Sequence, residues 1–191
     1  QLMRITVSEN NPAYMSDSFG VLYTKDKTCL IGAPGKISGT YTLPKEVVEI
    51  GEYSFYYCKN INKIIFSNDL ESIETYAFAY CQNLTRADIP ANVSKIGAFA
   101  FIGCLNFEYV VDLANQNYSS DSYGVFYDKD KNNLIKAPEK ISDSYKIPST
   151  VSTIKSRAFY KCRNLYNFRI PEGVVELENQ VFVNCENLKS I

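Results

Sequence analysis

Residues 84–104 read Leu84-Thr-Arg-Ala-Asp-Ile-Pro-Ala-Asn-Val-Ser-Lys-Ile-Gly-Ala-Phe-Ala-Phe-Ile-Gly-Cys104, and the apolar positions of this stretch return along the chain at a fixed period. Cys58, Cys81 and Cys104 stand 23 residues apart, as do Cys162 and Cys185. A Phe lies three residues before each of them: Phe55, Phe78, Phe101, Phe159 and Phe182. Further upstream run two aliphatic columns, Ile50, Ile73, Ile96, Ile154 and Leu177, and Val47, Leu70, Val93, Val151 and Val174. Ile61, Leu84, Phe107, Leu165 and Leu188 form another column after the cysteines. Several columns in phase over five copies mark a tandem repeat, whose units are too short to bury their apolar side chains except by stacking.

Within one unit, Ala87–Pro90 has the period of two expected of a strand with one face inward. Pro90, like Pro44, Pro148 and Pro171, ends the strand because it has no N–H to give to a ladder. The Ala100-Phe101-x-x-Cys104 segment carries apolar residues at i, i+1 and i+4, which predicts a single helical or 3₁₀ turn. Stacked units with strands about 4.8 Å apart then give an α/β repeat solenoid, its core filled by the Phe and Cys columns.

The spacing from Cys104 to Cys162 exceeds one period, and the excess is itself repeated. Residues 11–55 align with residues 115–159 at an offset of 104: Gly20-Val21 with Gly124-Val125, Tyr23 with Tyr127, and Lys25-Asp26-Lys27 with Lys129-Asp130-Lys131. In the second copy, Tyr123–Tyr127, a polar turn and Leu134–Ala137 read as a β-hairpin. Hairpin modules are therefore expected at about 11–43 and 115–147, alternating with repeats at about 44–114 and 148–191 in one solenoid domain over 1–191. The chain starts inside a module and ends just after a Leu-x-x-Ile strand. Neither end carries the cap that a solenoid edge needs, so a segment of a longer array is expected.

Composition narrows the function. The 191 residues include 20 basic and 21 acidic side chains, six Cys and no His or Trp. Without His there is no Ser-His-Asp or Cys-His catalysis and no histidine-containing metal site. A net charge of −1 argues against nucleic acid as a partner. No apolar run reaches the roughly 18–20 residues that span a bilayer, and Gln1–Val7 lacks the layout of a signal peptide.

The string Ile-Pro-x-x-Val-x-x-Ile-Gly-x-x-Ala-Phe-x-x-Cys-x-x-Leu resembles the BspA-like leucine-rich repeat, also called the Treponema pallidum type. Residues 89–107 and 147–165 match it closely, with Phe107 in place of the last Leu and Lys155 in place of Gly. The hairpin at 123–134 resembles the insert often found between such repeats. The resemblance implies a right-handed curved solenoid on secreted or surface proteins, with adhesion to host matrix or cell-surface proteins as the associated activity. It implies no enzyme activity, catalytic residue, cofactor or metal. The expected location is extracellular or at the cell surface, with a protein as partner.

Three features could carry chemistry. The five columnar cysteines read as buried thiols, since no Cys-x-x-Cys occurs and Cys is an ordinary small core residue. Asp128-Lys-Asp130-Lys-Asn132-Asn133 has the spacing of a calcium loop but lacks its Gly, so it reads as a solvated hairpin turn. The tyrosines of the hairpins (Tyr118, Tyr123, Tyr127 and Tyr145) are expected mainly to pack them onto the solenoid. In a leucine-rich solenoid the strands line the concave face. The residues alternating with its buried columns are the candidate ligand-binding set: Lys63, Ile65, Arg86, Asp88, Tyr109, Val111, Asn167 and Arg169. The mixture of charge, aliphatic and aromatic groups suits protein recognition. The alternative is a scaffold or spacer segment of a larger surface protein, with no specific ligand of its own.

Overall fold

The computed structural model describes residues 2–105 and 107–191, which form two compact units, Gln1–Leu105 and Asn106–Ile191. The first holds β1 (Tyr14–Ser16), β2 (Leu22–Thr24), β3 (Cys29–Gly32), β4 (Ser38–Thr42), β5 (Glu49–Ile50), β6 (Asn60–Ile65), β7 (Ser72–Ile73), β8 (Arg86–Ile89) and β9 (Lys95–Ile96). The second holds β10 (Glu108–Val111), β11 (Tyr118–Ser120), β12 (Phe126–Asp128), β13 (Asn133–Lys136), β14 (Thr153–Ile154) and β15 (Glu176–Leu177). The described residues contain no helix, and hence none long and apolar enough to cross a membrane. The α/β assignment is thereby corrected: each unit is a β-solenoid.

The aliphatic column at Ile50, Ile73 and Ile96 is a parallel ladder in which these residues face one another across β5, β7 and β9. The hairpin is continuous with it. β1, β2 and β3 pair antiparallel, and β3 then pairs parallel with β5, so that Leu30 extends the isoleucine column. The second unit repeats this arrangement through β11, β12 and β13, with Leu134, Ile154 and Leu177 in register. A second parallel ladder in the first unit joins β4 to β6, including the pair Thr42 and Ile65.

The Phe segments form the third hydrogen-bonded column and differ from the helical turn that their spacing suggests. Each holds left-handed residues two before and two after its Phe: Tyr53 and Tyr57, Tyr76 and Tyr80, Phe99 and Gly103, Arg157 and Lys161, Gln180 and Asn184. A left-handed residue in every turn forbids the consecutive right-handed dihedrals of a helix. Alternate N–H groups point to the following coil instead. Phe55 N–H donates to Ala77 O at 2.7 Å and Tyr57 N–H to Ala79 O at 2.9 Å, while Tyr56 and Cys58 close turns onto Tyr53 O and Phe55 O. Left-handed backbone costs a non-glycine residue roughly 1–2 kcal/mol, which the inter-coil bonds and ring stacking offset.

Inside the first unit Phe55, Phe78 and Phe101 stack nearly parallel, at 4.9 and 5.1 Å between centroids. In the second unit Phe159 stacks on Phe182 at 5.4 Å. None of the six cysteines is in a disulfide. The column selects Cys because the S–H has an acceptor in the preceding coil. Cys81 donates to Phe55 O at 3.1 Å, Cys104 to Phe78 O at 3.2 Å and Cys185 to Phe159 O at 2.9 Å. Cys58, Cys81, Cys104 and Cys162 are buried, whereas Cys185 at the end of its column is half-buried.

This burial has an alkaline consequence. Desolvation pushes the Cys58 thiol up from 9.0 to about 12 and Cys81 higher still. Burial also raises the phenols of Tyr23, Tyr41, Tyr127 and Tyr145. A group whose folded pKa lies above its unfolded value contributes stability that is intact below the unfolded pKa and is lost as pH rises toward the folded one. Stability should therefore fall from about pH 9 upward, by about 2–3 kcal/mol at pH 11 from Cys58 alone. Urea midpoints between pH 8 and 11 test this, and a flat profile would contradict the buried thiols. At pH 8 in the native state, alkylation should reach Cys185 well before Cys58 or Cys81.

Candidate functional site

The strand face distributes the expected ligand-binding residues unevenly. In the first unit Lys63, Ile65, Arg86 and Asp88 are exposed, and Arg86 Nε donates to Asp88 Oδ1 at 2.8 Å. That pair is half-exposed on both sides, so it is worth about 0–1 kcal/mol and mainly neutralises its own patch. In the second unit Asn167 and Arg169 are exposed.

Tyr109 and Val111 are corrected: both are buried, at 7% and 8% exposure. The 23-residue phase does not carry through β10, because the hairpin module already begins there. Tyr109 N–H donates to Gly124 O at 3.3 Å and Val111 N–H to Ser120 Oγ at 3.0 Å. The first unit matches at the same offset, with Ile5 N–H to Gly20 O at 3.3 Å and Val7 N–H to Ser16 Oγ at 3.1 Å. Gly20 and Gly124 permit this approach. Both have positive φ, and a Cβ there would lie within 3 Å of Arg4 Cγ or Glu108 Cβ.

The hairpin tyrosines divide. Tyr127 and Tyr145 are buried and share Asp121 Oδ2 at 3.0 and 2.9 Å, and their hydroxyls also meet each other. Asp17 holds Tyr41 at 2.6 Å in the same way, and Tyr41 in turn meets Tyr23. Tyr123 is exposed and Tyr118 partly so. The turn at Asp128 closes on itself, its carboxylate accepting Asn133 N–H at 3.0 Å and the Asn133 amide. Among the described residues no group of three or more Cys, Asp or Glu is placed to hold a metal ion.

A half-buried lysine also invites attention. Lys136 Nζ donates to the carbonyls of Arg157, Ala158 and Tyr160 at 3.2–3.5 Å. Burial lowers its pKa. Its carbonyl partners satisfy all three ammonium protons, so the group caps the Phe turn and is not presented to a substrate.

One surface is not legible in the candidate set drawn from the sequence, and a second is represented there only by Asn167 and Arg169. On the first unit, Tyr53 stacks on Tyr76 at 5.1 Å and Tyr57 on Tyr80 at 4.8 Å, with Tyr56 edge-on to Tyr57 and Tyr80. Tyr53, Tyr56 and Tyr57 are exposed, so this face is a ledge of ring edges and hydroxyls. The signal was present: Tyr53 and Tyr76, and Tyr57 and Tyr80, are themselves 23-residue pairs.

The second surface is an open groove of about 390 Å³ on the second unit, lined by Asp143, Tyr145, Lys146, Asn167, Arg169 and Glu172 among others. It lies where the first unit pairs β4 with β6. Asp143 stands at the position of Gly39, and its carboxylate takes the N–H groups of Tyr166 and Asn167 at 2.9 and 3.0 Å. The ladder is thereby reduced to an isolated bridge between Ser142 and Asn164. In the first unit Leu43 N–H donates to Ile65 O at 2.9 Å, whereas the counterpart bond from Ile147 to Arg169 is not made.

A family profile described as the BspA type leucine rich repeat region matches six copies, over residues 38–145 and 139–191. A comparison with curated proteins finds no match. Solved structures are similar. A leucine-rich cell surface protein from Faecalibacterium prausnitzii is 29% identical with a TM-score of 0.70, over 81% of this chain and 41% of that one. The pneumococcal vaccine antigen PcpA is 27% identical with a TM-score of 0.73, over 81% and 39%. A leucine-rich repeat protein from Eubacterium ventriosum is 26% identical with a TM-score of 0.59, over 98% and 41%. The chain thus spans about two fifths of the length of each. With its repeat columns, its stacked coils and the profile match over most of its length, the chain belongs to the BspA-type leucine-rich repeat family.

Proposed function

We propose that the chain is the recognition segment of a secreted or cell-surface protein, adhering to host or cell-surface proteins through its strand face. The observation that carries this reading is the set of exposed side chains on rigid, hydrogen-bonded coils: Lys63, Ile65, Arg86 and Asp88 on the first unit, Asn167 and Arg169 on the second. Within each unit such a face holds its side chains at fixed spacing, which lowers the ordering cost of binding. Support for the location comes from similar structures, one described as a cell surface protein and another as a pneumococcal vaccine antigen. Membership of this repeat family supports protein interaction as the activity.

The test is binding of the purified chain to immobilised matrix and cell-surface proteins, beside Lys63→Ala/Ile65→Ala and Asn167→Ala/Arg169→Ala variants. Saturable binding weakened about tenfold by either double variant is expected. Saturable binding that neither variant alters would remove the strand face as the site. Absence of binding to every panel member would favour a spacer segment.

A further inference from the structure

Lys146 and Arg169 occupy the positions of Thr42 and Ile65, which are direct cross-strand partners in the first unit. Two like charges on such opposed positions destabilise a sheet. Both cations are exposed, and among the described residues neither makes an ion pair. Here the strands do not pair, the two cations stand un-neutralised on the groove wall, and a bound anion would pair with both. The main chain repeats the message. With the ladder interrupted by Asp143, the N–H groups of Ile147 and Arg169 have no acceptor among the described residues. Unpaired strand-like backbone on a groove wall is a template for an added strand.

We propose that this groove binds an extended peptide segment of a partner protein, pairing with its main chain and placing a carboxylate between Lys146 and Arg169. This names the ligand chemistry of the strand face and rests on the protein-binding reading. A carboxylate-bearing peptide fits better than a polyanion. Asp143 and Glu172 also line the groove, so a run of sulfates or phosphates would meet two carboxylates beside the two cations. Asp143 is itself occupied by two backbone N–H groups, which leaves the cations available.

The probe is a fluorescein-labelled octapeptide of threonines with a single central Glu, titrated into the whole chain by anisotropy and followed by amide hydrogen exchange. Saturable binding is expected, together with slowed exchange at Ile147 and Arg169. The variant Lys146→Thr/Arg169→Ile, which restores the first unit's residues at exposed positions, should weaken binding at least about tenfold. Asp143→Gly should weaken it by allowing the ladder to close. A Thr-Lys peptide should not compete.

Equal binding by the double variant, unchanged exchange at Ile147 and Arg169, or preferential binding of a heparin oligosaccharide would overturn the proposal. Failure of the wider reading looks different. A panel protein bound equally by wild type and double variant removes the groove but leaves recognition standing. Peptide binding without capture of any panel protein keeps the groove and removes the proposed partners.

Discussion

Replacing Asp121 by Ala is expected to destabilise the protein by about 4 kcal/mol. The carboxylate is the hub of the second hairpin module. Oδ2 accepts from the hydroxyls of Tyr127 and Tyr145, and Oδ1 accepts from the N–H groups of Tyr123 and Val125 at 2.9 and 3.1 Å. Tyr127 is wholly buried and Tyr145 nearly so. Removing the acceptor strips a partner from the buried Tyr127 and Tyr145 hydroxyls and the part-buried Val125 N–H, each stranded donor costing about 1–3 kcal/mol, while the exposed Tyr123 N–H turns to water. The two hydroxyls can still bond each other, so one of the two keeps a partner.

Asp121→Asn retains one acceptor oxygen and should lose about half as much. Tyr127→Phe removes a donor and strands nothing charged, for about 1–2 kcal/mol. Urea denaturation gives the ranking, and hydrogen exchange of β11 to β13 localises it. A loss under about 1 kcal/mol for Asp121→Ala would mean that water replaces the carboxylate. Asp17 should behave alike in the first unit, since it accepts from Tyr41, Phe19 N–H and Val21 N–H at 2.6–2.9 Å.

Most of this architecture could be read from residue columns, because burial repeats with the coil. Phe55, Phe78 and Phe101 had to meet, and the offset of 104 exposed the paired hairpins. What escaped depends on backbone dihedrals that composition barely records. Left-handed conformations are ordinarily announced by Gly, yet here they fall on Tyr53, Tyr57, Tyr76 and Tyr80. Only Gly103, in the column of Tyr57 and Tyr80, hinted that the Phe segment is not helical.

Tyr109 and Val111 were misplaced because two periods compete at that point. The 23-residue phase puts them outward, while the 104-residue offset aligns them with Ile5 and Val7 at the start of a hairpin module. The second period wins, because the hydrogen bonds to Gly124 and Ser120 belong to the module. The groove depends on the exchange of Gly39 for Asp143, and only the folded chain shows which N–H groups that carboxylate takes.

Phe78→Ala should cost about 3–5 kcal/mol, the range for a buried aromatic whose cavity cannot collapse. Phe78 is fully buried, stacked between Phe55 and Phe101, with Phe66 edge-on at 6.0 Å. Collapse is resisted because hydrogen bonds fix the spacing of the flanking coils. Phe55 N–H donates to Ala77 O and Phe78 N–H to Ala100 O, both at 2.7 Å, while β5, β7 and β9 form an unbroken ladder. The void must therefore persist between the coils.

Phe182 supplies the comparison. It is only partly buried and has Phe159 and Phe168 as ring neighbours, so truncation should cost about 1–2 kcal/mol. Phe78→Leu should fall below Phe78→Ala. Because Phe55 and Phe78 share one stack, the double variant Phe55→Ala/Phe78→Ala should depart from the sum of its parts by at least about 0.5 kcal/mol. Chemical denaturation of these variants and of Phe55→Ala alone decides the matter. Equal losses at Phe78 and Phe182 would mean that the coils relax into the cavity, and that the inter-coil hydrogen bonds do not set the spacing on which the strand face depends.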